Sequence, residues 1–591
     1  MQVSNSHNPF SVTSPENLSD DLMVQLFVDV YSDFPKIKMA SHTFIHGSRG
    51  TGKSMMLRYL EPTVQMKANK CTSPTGLDFF AIHVPIKTSN LSRIEFSRFE
   101  GAPYFILAEH MLVMHCLVKI SETLAKVCNE SCKSDELQVF FEKSFLNRLR
   151  LKQSIPTSCQ NYFREMISIA ESIYNEAQTY ISKHAFIKED ILPYEGNLFG
   201  WLDFLVPFIK DLQSLSFIPN KPFFLMLDDA DNLEENMQKI INTWVSTRVI
   251  ENVCLKVSTQ LRYKTYQTVS GAFIESPHDY TDIDITKVYS SKTTKFYERA
   301  REIALKRINI HSHDNIITPE DFFPPDEAQE LRLKELADEI RKKNEEGEGR
   351  AQRPSDDVTR YLRPEYIRRL GRSAHSYSYA GFKSIVDLSS GIIRWFLEPA
   401  ALMYSDCQSV VMSSPITNIP HGIQDAVIKK WSKDFLDVEL QKLETSAKRG
   451  PNELDQLSKL RNLIDGVGML FQRILTEESL SERRIFTIML TAPPSYELSK
   501  VLDLGVQYSY FQRSTVGSKE GYGRNMRFSL SRRLGPYYKL DVSGFAGNLS
   551  VTPEMLQLAL RSPKTFADER FKKLLLPSSE IGHEQLSLFG D

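Results

Sequence analysis

The sequence has few of the features that mark disulfide-rich, zinc-binding or strongly basic proteins. Among 591 residues there are 7 cysteines. Cys128 and Cys132 lie close together, but no second pair or histidine cluster accompanies them, so we expect reduced structural thiols rather than a disulfide framework or a zinc site. The net charge of −2 excludes a positive field over the whole molecule, and any contact with nucleic acid must come from a local patch.

Long apolar runs are also missing. The first ten residues, MQVSNSHNPF, are polar and contain no apolar signal core. The most apolar segment, FILAEHMLVMHCLVKI, is interrupted by Glu109 and His110, so we predict no contact with a membrane. With 41% hydrophobic and 25% charged residues, the composition is that of a globular protein of several domains, which we expect in the cytoplasm.

One motif is strong. Residues 47–54 read GSRGTGKS and fit the pattern G-x-x-x-x-G-K-[ST] of a phosphate-binding loop. The loop follows a predicted strand, TFIH, and precedes a predicted helix, KSMMLRYL, which is the context that this motif needs. We expect Lys53 to neutralise the β and γ phosphates and Ser54 to ligate Mg²⁺. The predicted phosphate-binding residues are Gly47, Gly50, Thr51, Gly52, Lys53 and Ser54.

A second segment carries two acids. PFFLMLDDAD (222–231) reads as a buried strand that ends in Asp228 and Asp229. Ligands of open α/β sheets bind at the carboxyl ends of the strands, so we expect Asp228 to hold Mg²⁺ through water and Asp229 to orient or deprotonate the attacking water. Two aspartates after a strand are also common in ordinary turns. No Asn-Lys-x-Asp guanine motif is present, so ATP with Mg²⁺ is favoured over GTP.

The order of elements predicts the fold class. Strands at 43–46, 78–86, 222–231 and 251–260 alternate with helical segments, which is typical of an α/β protein with a parallel sheet. Helical periodicity fills residues 103–215, which we predict to be a large helical insertion.

Taken in order, the loop motif, LMLDDAD, CLKVSTQL and SSGIIRWFLE resemble the AAA+ ATPases, and more narrowly their origin-recognition initiator clade. The resemblance implies a P-loop AAA+ core, a helical lid and a C-terminal winged-helix-like domain. It implies that Thr259 is the sensor 1 residue and that Arg394, on the lid, reaches the γ-phosphate as sensor 2. Alternatively, Arg394 extends from an amphipathic helix into solvent.

Other residues depart from the pattern of this clade or leave two alternatives open. Asp229 stands where the clade usually has glutamate, which implies slow hydrolysis or a relationship to signal-transduction ATPases, whose strand often ends in two aspartates. Arg262 is our first choice for an arginine finger acting on a neighbouring subunit, and Arg248 the second. Either arginine is also compatible with an ordinary surface position.

Changes of pattern divide the chain into four predicted parts. They are an AAA+ nucleotide-binding domain at 1–285, a helical lid at 286–410 with a charged loop at 342–375, a winged-helix-like domain at 420–570, and a tail at 571–591.

The winged-helix-like part combines helices with a basic hairpin. A long helix is predicted near 454–475, and SERRIFTIML and SYELSKVLDLG are predicted as two short helices. Alternating residues then predict a hairpin around Gly517–Gly523. Between 507 and 540 there are seven basic residues and one acid, which suits duplex DNA phosphates, although a solvated or protein-binding wing has the same pattern. The predicted DNA contacts are Arg513, Lys519, Arg524 and Arg527, and the other three basic residues are Arg532, Arg533 and Lys539.

Together these features predict a slowly hydrolysing ATP-dependent switch that assembles as a homo-oligomer on DNA, in the manner of an initiator. The alternative is a sensor or regulatory ATPase, of the STAND-like or AAA+ kind, in a bacterial phage-defence system. In that case ATP-driven assembly would control a partner effector protein, and the insertion at 103–215 would recognise a trigger.

The tail carries a short apolar motif in polar surroundings. Residues 585–589, QLSLF, resemble the pentapeptide with which bacterial replication and repair proteins bind the sliding clamp. The predicted contacts are Gln585, Leu586, Leu588 and Phe589. Such a segment can order on binding a partner, or it can pack as a strand on its own protein.

We expect a chain truncated after Glu584 to lose binding to a bacterial sliding clamp. A single short tail should bind with a Kd of about 1 μM, because ordering the peptide costs entropy and few side chains anchor it. Calorimetric titration of the clamp into the intact and truncated proteins checks this, and equal binding by both would contradict it.

Overall fold

The structure, a computed structural model, falls into two compact units. The first comprises Thr13–Arg299, and the second comprises Ala300–Asp591 with Met1–Val12. The described residues are 8–11, 14–29, 34–87, 89–91, 94–128, 134–152, 159–184, 193–247, 252–260, 263–285, 295–310, 316–348, 353–371, 375–410, 416–446, 451–517, 524–543 and 547–576.

The first unit combines a parallel sheet with helices. Its strands are β1 (Thr43–His46), β2 (Phe80–Pro85), β3 (Phe223–Asp228), β4 (Val253–Thr259) and β5 (Thr281–Asp284). Its helices are α1 (Asp20–Leu26), α2 (Phe34–Ile37), α3 (Lys53–Tyr59), α4 (Pro62–Ala68), α5 (Ala102–Val127), α6 (Ser134–Phe140), α7 (Asn147–Leu149), α8 (Cys159–His184), α9 (Val206–Gln213) and α10 (Glu235–Ser246). Helix α11 (Lys295–Ile308) begins in the first unit and ends in the second.

Within the described residues, five strands pair in parallel in the order β2-β3-β4-β1-β5. Strand β4 lies between β1 and β3, with Phe44 opposite Val257 and Leu225 opposite Leu255. Such central strands are buried on both faces, which explains their continuous apolar runs. The predicted α/β class is confirmed, and the carboxyl ends of β1, β3 and β4 meet at one edge of the sheet.

Most described residues of the predicted insertion at 103–215 lie in helices, although residues 193–200 do not, and α5 is a long helix with most of its side chains buried. By length and composition α5 could span a membrane, but 78% of its most apolar window is buried inside the protein. The two polar residues that interrupt it have partners. Glu109 Oε1 accepts a hydrogen bond from Trp244 Nε1 at 2.8 Å, and His110 Nδ1 accepts one from the N–H of Phe199 at 3.1 Å. Helix α5 is therefore a buried helix of the first unit, and its two polar side chains are hydrogen-bonded.

The second unit contains most of the remaining helices and a second sheet. Its helices are α12 (Pro319–Phe322), α13 (Glu327–Lys343), α14 (Pro354–Leu370), α15 (Phe382–Leu388), α16 (Ile393–Val410), α17 (His421–Asp434), α18 (Leu440–Ser446), α19 (Pro451–Thr476), α20 (Tyr496–Gln507), α21 (Pro553–Ala559) and α22 (Pro563–Leu575). Its strands are β6 (Ile485–Leu490), β7 (Phe511–Gly517), β8 (Arg524–Leu530) and β9 (Gly547–Val551). They lie in the order β7-β8-β6-β9 among the described residues.

The predicted basic hairpin is confirmed as β7 and β8. The strands are antiparallel, and their register runs from Phe511 opposite Leu530 to Gly517 opposite Arg524. The predicted short helix SYELSKVLDLG is α20. In contrast, SERRIFTIML is not helical, because its β-branched and aromatic residues form β6 between β8 and β9.

Two other boundaries differ from prediction. The charged loop predicted at 342–375 is largely helical, because α13 extends to Lys343 and α14 occupies Pro354–Leu370. Pro354 begins α14, acidic residues lie in its first turn and basic residues in its last, all of which favour a helix. The tail predicted from 571 begins inside α22, which ends at Leu575. The division into four parts stays a prediction.

Arg533, which we counted with the basic patch, is a core residue of the second unit. It is 2% exposed. Its guanidinium lies 4.1 Å from the ring centre of Trp431 and 4.2 Å from that of Phe435, and Nη2 donates to Glu439 Oε1 at 2.6 Å. A desolvated cation between aromatic rings stabilises packing, so this arginine adds nothing to the surface charge of the hairpin.

We therefore expect Arg533→Ala to destabilise the second unit by about 3 kcal/mol, because it removes a buried guanidinium together with its hydrogen bond to Glu439 and its contacts with the rings of Trp431 and Phe435. Arg513→Ala is the matched control. Arg513 is half exposed and pairs with Asp503 at 2.9 Å, and loss of such a surface pair costs at most about 1 kcal/mol. Denaturant unfolding of both variants checks this, and equal losses would contradict it.

Candidate functional site

The glycine-rich loop lies between β1 and α3, as its motif predicts. Gly50 and Gly52 have φ angles of 88° and 99°, in the left-handed region that favours glycine. A Cβ on Gly47 would lie 3.0 Å from Thr51 Oγ1 and 3.3 Å from Ile285 Cβ. The backbone conformation of the loop therefore favours glycine at positions 47, 50 and 52.

The side chain of Lys53 is buried against the backbone of this loop. The side chain is 5% exposed, and Nζ donates to the carbonyl oxygens of Gly47 at 2.7 Å and Ser48 at 3.2 Å. Thr51 closes the same turn, since its hydroxyl donates to the carbonyl of Ser48 at 2.8 Å. The loop thus combines a buried ammonium group with backbone N–H groups. Both can bind an anion such as phosphate.

Asp228 ends β3 and is 3% exposed. Two side chains contact its carboxylate: Ser258 donates to Oδ1, and His83 Nε2 lies 3.1 Å from Oδ2. Ser54, at the start of α3, is close enough to help lower the pKa of Asp228. Burial by itself would raise the pKa of Asp228, but these hydrogen bonds and the charge of His83 outweigh burial and lower the pKa. The carboxylate is therefore kept ionised next to the loop.

Asp229 follows with a φ angle of 57°, a strained conformation for a residue other than glycine. Its N–H donates to Ser258 Oγ at 2.9 Å, and its carbonyl accepts from Asn232 Nδ2 at 2.8 Å. Burial, followed by the charge of Asp228, raises the pKa of the Asp229 carboxyl. A carboxylate with a raised pKa is better suited to accept a proton from water.

On strand β4 the residue that contacts Asp228 is Ser258, not the predicted sensor residue Thr259. The hydroxyl of Thr259, the predicted sensor 1 residue, lies 2.7 Å from His46 Nδ1 and is buried. Neighbouring residues on a strand point to opposite faces, and so Ser258 contacts the acid pair instead. His46 Nε2 in turn lies 2.9 Å from Asp282 Oδ1, which joins β1 to β5. The sensor role of Thr259 stays a prediction.

Sequence reasoning did not identify Ser258 or His83. A signal existed for each, because Ser258 adjoins the predicted sensor and His83 is the one basic residue in the apolar segment DFFAIHVPI. Identifying them needs the pairing of β2, β3 and β4, since it places both side chains against Asp228.

Other predicted site residues belong to the second unit or lie outside the described residues. Arg394 is at the start of α16 in the second unit, and Arg513 pairs with Asp503. Arg524 begins β8, and Arg527 lies on the same strand with burial lowering its pKa. Those outside the described residues are Arg248, Arg262, Lys519, Gln585, Leu586, Leu588 and Phe589.

The cluster fits a magnesium–nucleotide complex. The Ser54 hydroxyl and the Asp228 carboxylate are oxygen ligands of the kind that Mg²⁺ prefers, and they lie close enough together for Ser54 to help lower the pKa of Asp228. Among the described residues no group of three or more His, Cys, Asp or Glu side chains forms a metal site of its own. Magnesium bound with nucleotide needs few protein ligands, because phosphates and waters complete its coordination.

Comparison with curated proteins and solved structures gives no information about function. No curated protein matches the sequence. A structure of the Aeropyrum pernix ORC1 protein in complex with DNA aligns over 94% of this chain and 94% of that chain, with 10% identity and a TM-score of 0.27, a similarity too low to compare functions.

The ORC-CDC6-like family model matches residues 8–551. This range contains the glycine-rich loop, the acid pair and Arg394, and the match confirms the family resemblance predicted from those segments. Members of the family are AAA+ ATPases that use a nucleotide. The chain belongs to the ORC-CDC6-like family.

Proposed function

We propose that this protein is a Mg²⁺-dependent ATPase with slow turnover that acts as a switch and assembles as a homo-oligomer on duplex DNA. One observation carries the ATPase part of the proposal. The ends of β1 and β3 bring the buried ammonium group of Lys53, the Ser54 hydroxyl and the Asp228 carboxylate to one edge of the sheet. Ligands of open α/β sheets bind at this edge.

Each side chain then has a chemical role. Lys53 neutralises phosphate charge, while Ser54 and Asp228 would hold Mg²⁺, which when bound offsets the charge that develops on the phosphates. Asp229 orients the attacking water and accepts its proton, which its raised pKa favours. Aspartate has a shorter side chain than glutamate and reaches less far toward that water, so slow turnover is expected.

Other roles rest on the family. Thr259 would act as sensor 1 and Arg394 as sensor 2, and an arginine finger, Arg262 or Arg248, would come from a neighbouring subunit. That finger is the reason for proposing a homo-oligomer, and nucleotide state would control assembly. The protein is proposed to work in the cytoplasm.

DNA binding is proposed for the β7–β8 hairpin. Strand β7 is an edge strand of its sheet, next to β8, so a basic hairpin at this edge can lie along a duplex. Together with α19 and α20 it is proposed to form a winged-helix-like domain. The contacts would come from Arg513, Lys519, Arg524 and Arg527.

We expect Lys53→Ala to abolish ATP binding, because the loop loses its cation. Asp229→Ala should still bind ATP but hydrolyse it at least about tenfold more slowly, because positioning of the water is lost. Lys67→Ala is the control: this lysine is surface-exposed, in the same unit, and pairs only with Asp21 among the ion pairs described. Nucleotide titration and phosphate release measure the two effects, and wild-type behaviour of both site variants would contradict the ATPase proposal.

We expect duplex binding to weaken steeply with salt and to be lost for all sequences after Arg513, Arg524 and Arg527 are changed to glutamate, because phosphate contacts release counterions. The matched control changes Lys342, Lys383 and Lys430 to glutamate. These are exposed lysines of the same unit, and the alteration in net charge is the same. Fluorescence anisotropy with labelled duplex checks this. Binding that ignores salt, or equal losses in both triple variants, would contradict a specific role of the hairpin.

A further inference from the structure

A histidine lies behind the acid of the nucleotide site. His83 is on β2 and is 8% exposed. Its Nε2 is 3.1 Å from Asp228 Oδ2, and its Nδ1 is 3.5 Å from Glu61 Oε1. Both ring nitrogens therefore face carboxylate oxygens. None of the roles proposed above for the loop and the acid pair uses this side chain.

The strand register explains how His83 reaches Asp228. Pro85 pairs with Asp228 across β2 and β3, and His83 lies two residues earlier, on the same face of the sheet as Pro85. The neighbours Ile82 and Val84 are fully buried. A polar ring in such a strand is costly unless its nitrogens have partners, so its contacts with Asp228 and Glu61 are needed to keep it there.

The contacts continue to the helix that follows the glycine-rich loop. Glu61 Oε2 accepts a hydrogen bond from Arg58 Nη1 at 2.5 Å, and Arg58 Nη2 donates to Asp20 Oδ1 at 2.8 Å. Arg58 lies on α3, the helix that begins with Lys53. These contacts form a series, Asp20–Arg58–Glu61–His83–Asp228. It links the helix that presents Lys53 and Ser54 to the carboxylate at the end of β3.

We propose that His83 is a positioning residue: its hydrogen bond to Oδ2 holds the Asp228 carboxylate in the orientation in which it supports Mg²⁺ together with Ser54. This rests on the proposed ATPase function. Ser258 holds the other oxygen, Oδ1, so the carboxylate is fixed from both sides. Without His83, it is held mainly through Oδ1 and can turn about its bond to Cβ. Partners behind a metal ligand typically contribute about 10- to 100-fold to metal affinity or activity.

Two substitutions separate this role from simple packing. His83→Gln places an N–H group where Nε2 lies, toward Asp228. His83→Asn places one only where Nδ1 lies, toward Glu61. Both side chains are neutral amides that can donate and accept hydrogen bonds, so they differ chiefly in which carboxylate they reach. His110→Asn is the control for loss of a buried histidine, because an asparagine oxygen can accept the bond from the N–H of Phe199.

The test measures the affinity of a fluorescent ATP analogue for each full-length variant, once with Mg²⁺ and once with EDTA, and monitors thermal unfolding. For His83→Asn we expect the affinity with Mg²⁺ to fall by about 10- to 100-fold and the affinity in EDTA to stay the same. His83→Gln should keep most of the Mg²⁺-dependent gain. His110→Asn should match the wild type in both conditions.

The outcomes distinguish this inference from the function on which it rests. If the wild-type protein does not bind the analogue, the ATPase proposal fails, and the role of His83 fails with it. Two outcomes would leave the ATPase proposal standing and make His83 only structural. In the first, Mg²⁺ increases the affinity of the wild type for the analogue, and His83→Asn keeps this increase. In the second, His83→Asn weakens binding equally with Mg²⁺ and with EDTA. If His83→Asn unfolds, His83→Gln provides the test. The inference is overturned if that variant folds but Mg²⁺ does not increase its affinity for the analogue.

Discussion

The proposed nucleotide site depends on one buried hydroxyl, that of Ser258 on β4. Ser258 on β4 donates to the carboxylate of Asp228 and accepts from the N–H of Asp229, which secures both acids at the end of β3. The next residue on β4 joins the phosphate loop, because the carbonyl of Thr259 accepts from the N–H of Gly47 at 3.2 Å. A central strand thus holds the phosphate-binding and acid-bearing segments at a set spacing.

Burial gives these contacts their strength. Asp228, Lys53, Thr259 and Ser258 are each at most 5% exposed, and an unpartnered polar group at such a position would cost about 1–3 kcal/mol. Each is therefore tied to its neighbours by hydrogen bonds, and the sheet behind them is packed with apolar side chains. The result is a rigid edge on which ligands for a phosphate group and a cation are arranged before either arrives, which reduces the cost of binding.

Local chemistry could be predicted from sequence, whereas side-chain direction and long-range pairing could not. The glycine-rich loop and the acids after an apolar strand have compact motifs, and they predicted the α/β class and the family. Ser258 was missed because only the twist and register of β4 decide which hydroxyl faces the acids. The segment SERRIFTIML alone predicts a helix, but it forms β6, because its pairing with β8 and β9 is not local. Arg533 was counted as surface charge because its aromatic partners, Trp431 and Phe435, lie about a hundred residues earlier in the chain.

The loop at 47–54 and the acid at the end of β3 are proposed to form a single magnesium–nucleotide site. The most direct measurement is an experimental structure of the full chain with Mg²⁺ and a non-hydrolysable ATP analogue. We expect phosphates against the backbone of the loop and Lys53, with the metal between the Ser54 hydroxyl and the Asp228 carboxylate, directly or through water. Phosphates bound elsewhere, or a metal that contacts neither side chain, would contradict it.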